Sequence, residues 1–145
     1  MTDEELVLRK LAVLEEHLER ASRRQPESLQ ALEGDDLVQD ALAMSVLVAI
    51  QEAIDIAFHI VADEGWGLPS SNAEAFERLA QNGVIDADLA TRLASATGLR
   101  NRIAHGYATI DLERLWRELP AGLATLRELA QKIAQFIGPP ARAPR

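Results

Sequence analysis

Residues 41–50 form the feature that most limits how this chain can fold, because Ser45 is the only polar side chain among them. Apolar side chains on every face predict a helix that is buried on several sides. The surrounding pattern extends this helix from about Asp35 or Asp36 to Ala62, and the two aspartates suit its N-terminus. In a domain of this size, such a helix predicts contact with a second subunit as well as with its own core.

Apolar residues at helical spacing predict four further helices. These helices cover about Asp3–Ser22, Ala73–Gln81, Asp86 to the region of His105, and Asp111–Ile137. We expect Gly106 to end the fourth helix of the chain, and Pro120 to kink or split the fifth. The fold class is therefore predicted as all-α, an up-and-down helical bundle of four long helices and one short one. A single domain is expected over residues 1–138, followed by a flexible tail over 139–145.

Composition restricts the classes of function that the chain suits. Its formal net charge is −8, so non-specific nucleic-acid binding is not expected and any RNA contact must depend on a local basic patch. The absence of cysteine excludes disulfides and thiolate metal sites. No signal peptide is recognised, and the apolar run 41–50 is too short to span a bilayer. We therefore expect a soluble, cytoplasmic protein without a membrane partner.

The segment Arg100–Tyr107 carries the candidate chemistry, because mostly apolar residues give way there to a cluster of functional groups. Arg100 and Arg102 are permanent cations with forked donors that suit phosphate. His105 can remove the proton of a ribose 2′-hydroxyl or protonate the leaving oxygen, and an arginine stabilises the charge on the phosphorus oxygens. Asn101 can orient the histidine or bind phosphate. The same residues also suit a helix terminus that needs only caps, so spacing alone leaves catalysis open.

Helical geometry makes it difficult for one chain to bring Arg100 and His105 together in one site. At about 100° per residue, Arg100 and His105 lie roughly 140° apart on a regular helix. Two copies that meet through this helix and through the helix of residues 41–50 would place two arginines and two histidines around one cleft. The geometry therefore favours a site that two subunits share.

Glu52, Asp55 and His59 fall on one face of the long apolar helix. We weigh a metal site against a polar strip that lines a cleft. Carboxylate-bridged metal bundles use glutamate and histidine three residues apart, and no glutamate of this chain has that spacing. We therefore expect no metal, and we expect Glu52 and Asp55, together with Arg102, to support the active cleft.

The Arg-x4-His-x-Tyr signature formed by Arg100, His105 and Tyr107 resembles that of the HepT toxins of the HEPN superfamily. Further segments resemble the same family in the same order along the chain. They are residues 52–57, 68–71, 75–85 and 99–105. The resemblance thus covers nearly the whole chain, from the first predicted helix to the last.

This resemblance implies a HEPN-type helical bundle that forms a homodimer, with the motifs of both chains at the interface. It implies the toxin of a type VII toxin–antitoxin system, acting as a metal-independent endoribonuclease on tRNA or mRNA without a cofactor. By this match Arg100 and His105 are catalytic and Asn101 assists them. The alternative is a non-catalytic HEPN module that binds nucleotide or serves as a scaffold for a nucleotidyltransferase.

The resemblance also implies a partner and a modification. A MntA-type nucleotidyltransferase antitoxin would use ATP to transfer AMP onto Tyr107, which is thereby expected to be the adenylylation (AMPylation) site. A nucleotide attached there would add negative charge and fill the cleft that RNA must enter.

Overall fold

The computed structural model describes residues 1–105 and 111–138, with His105 described in its backbone alone. Within these residues the protein is a bundle of six helices without strands, which confirms the predicted all-α class. The helices are α1 Glu4–Arg24, α2 Leu29–Glu33, α3 Asp36–Asp63, α4 Asn72–Gln81, α5 Ala87–His105 and α6 Leu112–Ile137. The short α2 is not predicted from the sequence, because five residues are too few to show a helical period.

α3 is the central helix, and it packs against the five other described helices. Leu42, Ile50 and Ile56 are among its buried side chains. By length and composition, α3 is the one helix of the described chain that is apolar enough to cross a membrane. The apolar part of this helix is therefore longer than the run 41–50 on which the sequence-based expectation rested. However, 56% of its most apolar window is buried within the protein, which is typical of a core helix.

Aspartate side chains fix the starts of the two helices that flank the motif. The Oδ1 atom of Asp86 accepts a hydrogen bond of 2.7 Å from the backbone N–H of Leu89, at the beginning of α5. Asp111 likewise accepts a bond of 3.1 Å from the N–H of Arg114, at the beginning of α6. These bonds satisfy donors that have no partner inside the helix, and so they set where each helix begins.

Pro120 lies inside α6, which continues without a break from Leu112 to Ile137. The expectation that Pro120 splits this helix is therefore wrong. Proline removes one helical hydrogen bond, but Leu119 and Leu123 on either side of it are buried. Their packing against the bundle compensates for the missing bond, because tertiary contacts supply most of a helix's stability.

Apolar side chains from all six described helices belong to one hydrophobic cluster. A single domain over residues 1–138 stays a prediction that this packing supports. Three expectations fall outside the described residues: the helix end at Gly106, the site at Tyr107 and the tail over 139–145.

Candidate active site at the end of α5

The buried stripe of α5 orients its C-terminal part. This stripe is buried throughout, as the sequence predicts, and consists of Leu89, Leu93, Ala96, Leu99 and Ile103. With the stripe facing inward, Arg100 and Arg102 lie on different faces, about 200° apart at the helical angle per residue. Arg100 therefore meets α3, whereas Arg102 meets α6.

Arg100 is held by two uncharged amides. Its Nε atom donates to Oε1 of Gln51 on α3 at 3.1 Å, and its Nη1 atom donates to Oδ1 of Asn101 at 3.1 Å. Neutral acceptors fix the direction of a guanidinium without neutralising its charge. Neither of these two described partners offsets the charge of Arg100, which stays available at a partly exposed position for an incoming anion.

Gln51 is held in turn by Asp55, one turn further along α3. The Nε2 atom of Gln51 donates to Oδ1 of Asp55 at 3.0 Å. An amide has one oxygen and one NH2 group, so this bond turns the Gln51 oxygen towards Arg100. Sequence reasoning missed Gln51. The available signal was the Gln51–Asp55 pair, because glutamine and aspartate four residues apart interact on a helix surface.

Glu52 lies on the side of α3 that faces α1. Lys10 of α1 places its Nζ atom 3.6 Å from Oε2 of Glu52 and 3.6 Å from Oδ2 of Asp55. One ammonium thus offsets part of the charge of two carboxylates. Within residues 1–105 and 111–138, no group of three or more His, Cys, Asp or Glu side chains is arranged to hold a metal ion. Both acids contact Lys10 of α1, and Asp55 alone also orients Gln51.

Arg102 lies on the other side of α5 and hydrogen-bonds to α6. Its Nη2 atom donates to Oε2 of Glu118 at 2.8 Å, and the Nε atom of Arg114 donates to Oε1 of the same carboxylate at 3.0 Å. Glu118 therefore holds two guanidiniums together and leaves this trio with a net positive charge. The structure separates Arg102 from Arg100, although the two are close in sequence.

His105 is the last residue of α5, one helical turn beyond Asn101. The side chain of His105 and the whole of Tyr107 lie outside the described residues, so their roles stay predictions. What the described residues bring together is one charged guanidinium, its two amide partners and the helix end that carries the histidine. This arrangement suits the binding of a phosphate group.

A helical bundle with this motif at the end of its fifth helix agrees with the HEPN-type bundle that the resemblance implies. Comparison with known sequences identifies the family. The sequence matches the family described as Ribonuclease HepT-like over residues 14–133. The chain belongs to that family, which confirms the resemblance seen in its sequence.

Characterised relatives and solved structures agree with this family. The chain is 28% identical to the mRNA nuclease HepT of Shewanella oneidensis over 109 residues, which cover 75% of this chain and 81% of the relative. It is 36% identical to the tRNA nuclease HepT of Aphanizomenon flos-aquae over 87 residues, which cover 60% and 59%. Its fold is similar to that of the tri-AMPylated Shewanella oneidensis HEPN toxin in complex with MNT antitoxin. That similarity has a TM-score of 0.80 at 26% identity, and it covers 92% of this chain and 98% of that chain.

Proposed function

We propose that this protein is the toxin of a toxin–antitoxin pair, an endoribonuclease that cleaves cytoplasmic RNA without a metal ion. The observation that carries the proposal is the state of Arg100. Two neutral amides fix its direction while its charge stays available, and the motif histidine follows five residues later at the end of the same helix. Relatives that are named as mRNA and tRNA nucleases support RNA as the substrate.

In the proposed reaction His105 removes the proton of a ribose 2′-hydroxyl, and the resulting oxygen attacks the adjacent phosphorus. The bond from phosphorus to the 5′-oxygen breaks, and a protonated imidazole returns a proton to that oxygen. Arg100 stabilises the negative charge that develops on the other phosphorus oxygens. The products are a cyclic phosphate on one RNA end and a hydroxyl on the other.

We further propose that two copies share the site through an exposed apolar face of α3, here called the α3 stripe. The stripe consists of Leu37, Ala41, Met44 and Val48, which fall on one face at four-three-four spacing. Leu37 and Met44 are 81% and 55% exposed, so this face is not covered by the protein's own core. One more step along the same face reaches Gln51, the partner of Arg100. A second copy packed on the stripe with two-fold symmetry would therefore bring both Arg100 side chains to one cleft.

The antitoxin is proposed to be a MntA-type nucleotidyltransferase that silences the site by adenylylating Tyr107. The phenol oxygen attacks the α-phosphorus of ATP, the bond to pyrophosphate breaks, and the phenol proton is lost. Two facts support this proposal: a relative has been solved as a tri-AMPylated toxin with its MNT antitoxin, and Tyr107 is the only tyrosine of this chain. The added phosphate places negative charge in the motif and so opposes RNA binding.

Cleavage of a mixed tRNA and mRNA pool in EDTA tests the ribonuclease. We expect the wild type to cleave, and His105→Ala to be slower by at least about 100-fold, because a positioned acid–base group contributes that much or more. His17→Gln is the control, since it alters a histidine on α1, which does not pack against α5 in the described residues. Equal cleavage by wild type and His105→Ala would contradict the mechanism. No cleavage by either, with intact mass showing an unmodified Tyr107, would favour the non-catalytic module.

Incubation with the cognate nucleotidyltransferase and ATP tests the silencing step. We expect the wild type to gain one or more adenylyl groups on the Tyr107 peptide and to lose cleavage in proportion. Tyr107→Phe lacks the phenol oxygen, so it should gain no mass and continue to cleave RNA. Silencing of Tyr107→Phe to the same extent as the wild type would refute Tyr107 as the controlling site.

A further inference from the structure

A cavity of about 460 Å³ lies between α5 and α6, on the face of α5 that carries Arg102 rather than Arg100. We call it the α5–α6 pocket. Three arginines and one glutamate stand among its described lining residues, namely Arg92, Arg102, Arg114 and Glu118. The rest of that lining is small or apolar, apart from two hydroxyl side chains. Its volume is in the range of small-molecule sites.

The charged groups of the pocket differ in how fully they are paired. Arg92 has two carboxylate partners, Asp88 at 2.9 Å and Glu128 at 2.8 Å, and these bonds raise the pKa of its guanidinium further. By contrast, Arg102 and Arg114 share the single carboxylate of Glu118. Within residues 1–105 and 111–138, a net positive charge and spare N–H donors therefore remain on that pair. An anion entering the pocket is best received there.

The other part of the pocket is apolar. Ala96, Leu99 and Gly122 line it, and the same three residues also line a smaller void that continues towards the core. A ligand that suits the whole pocket has an anionic end and a flat, largely apolar end. A nucleotide has this chemistry, because its base has a flat face that can cover apolar side chains and its phosphate is an anion for arginine.

We propose that the α5–α6 pocket binds one nucleotide of the RNA strand, with its phosphate at Arg102 and Arg114 and its base against Leu99. This proposal rests on the proposed ribonuclease function and adds a second contact for the same substrate. Arg100 and the pocket lie on different faces of α5, whose diameter with side chains is about 10–12 Å, so a strand that reaches both has to bridge that distance. The pocket therefore takes a nucleotide that is close to the cleaved bond but not part of it.

Binding of a fluorescent 12-nucleotide single-stranded RNA, measured in EDTA, tests the pocket. All proteins carry His105→Ala, so that little RNA is cleaved during the measurement. A Cβ atom at Gly122 would have no neighbour within 4 Å, so Gly122→Leu fills the cavity without a clash at that atom. We expect Gly122→Leu to raise the Kd roughly tenfold, because the base would no longer bury its face against the apolar part of the pocket. Ala124→Leu adds the same side chain at an exposed position of α6 and should leave the Kd within about twofold.

A charge variant tests the phosphate contact independently of the filled cavity. Arg114→Gln should raise the Kd about fivefold and reduce its salt dependence by about one phosphate contact. Arg117→Gln removes the same charge three residues away, at a side chain that is 66% exposed, and should have a smaller effect. Equal Kd values for Gly122→Leu and Ala124→Leu, or for the two arginine variants, would overturn the pocket. Failure of wild-type cleavage would instead overturn the nuclease, and pocket-dependent RNA binding would persist.

Discussion

Replacing Arg100 with alanine is expected to lower the kcat of RNA cleavage by roughly 10²–10³, the usual loss when one charge-stabilising donor is removed from an active site. Arg100 is partly exposed and hydrogen-bonds only neutral amides among the described residues, so its removal leaves no buried charge behind. The fold should therefore persist, and the thermal midpoint should change little. Single-turnover cleavage of a defined RNA measures the chemical step directly.

Two further variants separate the charge of Arg100 from its direction. Arg100→Lys keeps the charge without the fork and should recover only part of the activity. Gln51→Leu keeps the arginine but removes the acceptor that directs it, so kcat should fall about tenfold with a smaller change in RNA affinity. If Gln51 acts through Arg100, the Gln51→Leu/Arg100→Ala double variant is no slower than Arg100→Ala alone. Additive losses would show that Gln51 has a separate role.

Met44→Asp is expected to convert the proposed homodimer to monomers and to abolish cleavage with it. Met44 lies in the middle of the α3 stripe and is 55% exposed in the single chain. Two-fold symmetry places the new carboxylate twice in an apolar interface, so the dimer Kd should rise roughly a thousandfold. Sedimentation velocity at micromolar concentration measures the change, alongside cleavage of the same samples.

Leu68→Asp is the matched control for this variant, because Leu68 is 88% exposed and lies in the loop before α4, away from the stripe. It should leave both the oligomeric state and cleavage unchanged. A Met44→Asp protein that remains dimeric would show that the copies meet elsewhere. A monomeric and fully active Met44→Asp protein would show that one chain is sufficient for catalysis.

The helices of the bundle follow from the sequence because each long one carries a stripe of apolar residues at helical spacing. Both α1 and α5 bury such a stripe, which includes Leu14 of α1 and Leu93 of α5. Local propensity is weaker evidence than such a stripe. Pro120 illustrates this, because burial of the neighbouring leucines keeps α6 continuous across a residue that disfavours helix.

The details of the site depend on which neighbour each helix face meets, and a period alone does not contain that information. Arg100 and Arg102 look equivalent in the sequence, yet one meets an amide of α3 and the other a carboxylate of α6. Gln51 was missed for the same reason, since its contact with Arg100 requires α5 to pack beside it. The sequence placed Glu52 and Asp55 correctly on one helix face, but not the contact of both with Lys10 of α1.

The position of the α3 stripe beside Gln51 affects how RNA cleavage depends on the concentration of the protein. If one apolar face both joins two copies and completes their shared cleft, the active species is the pair, and its amount falls with the square of concentration in dilute solution. A few molecules that are not bound or modified by the antitoxin would then be mostly monomeric and inactive. A modest excess would produce disproportionately more cleavage, so the toxin would respond to loss of its antitoxin as a threshold rather than in proportion.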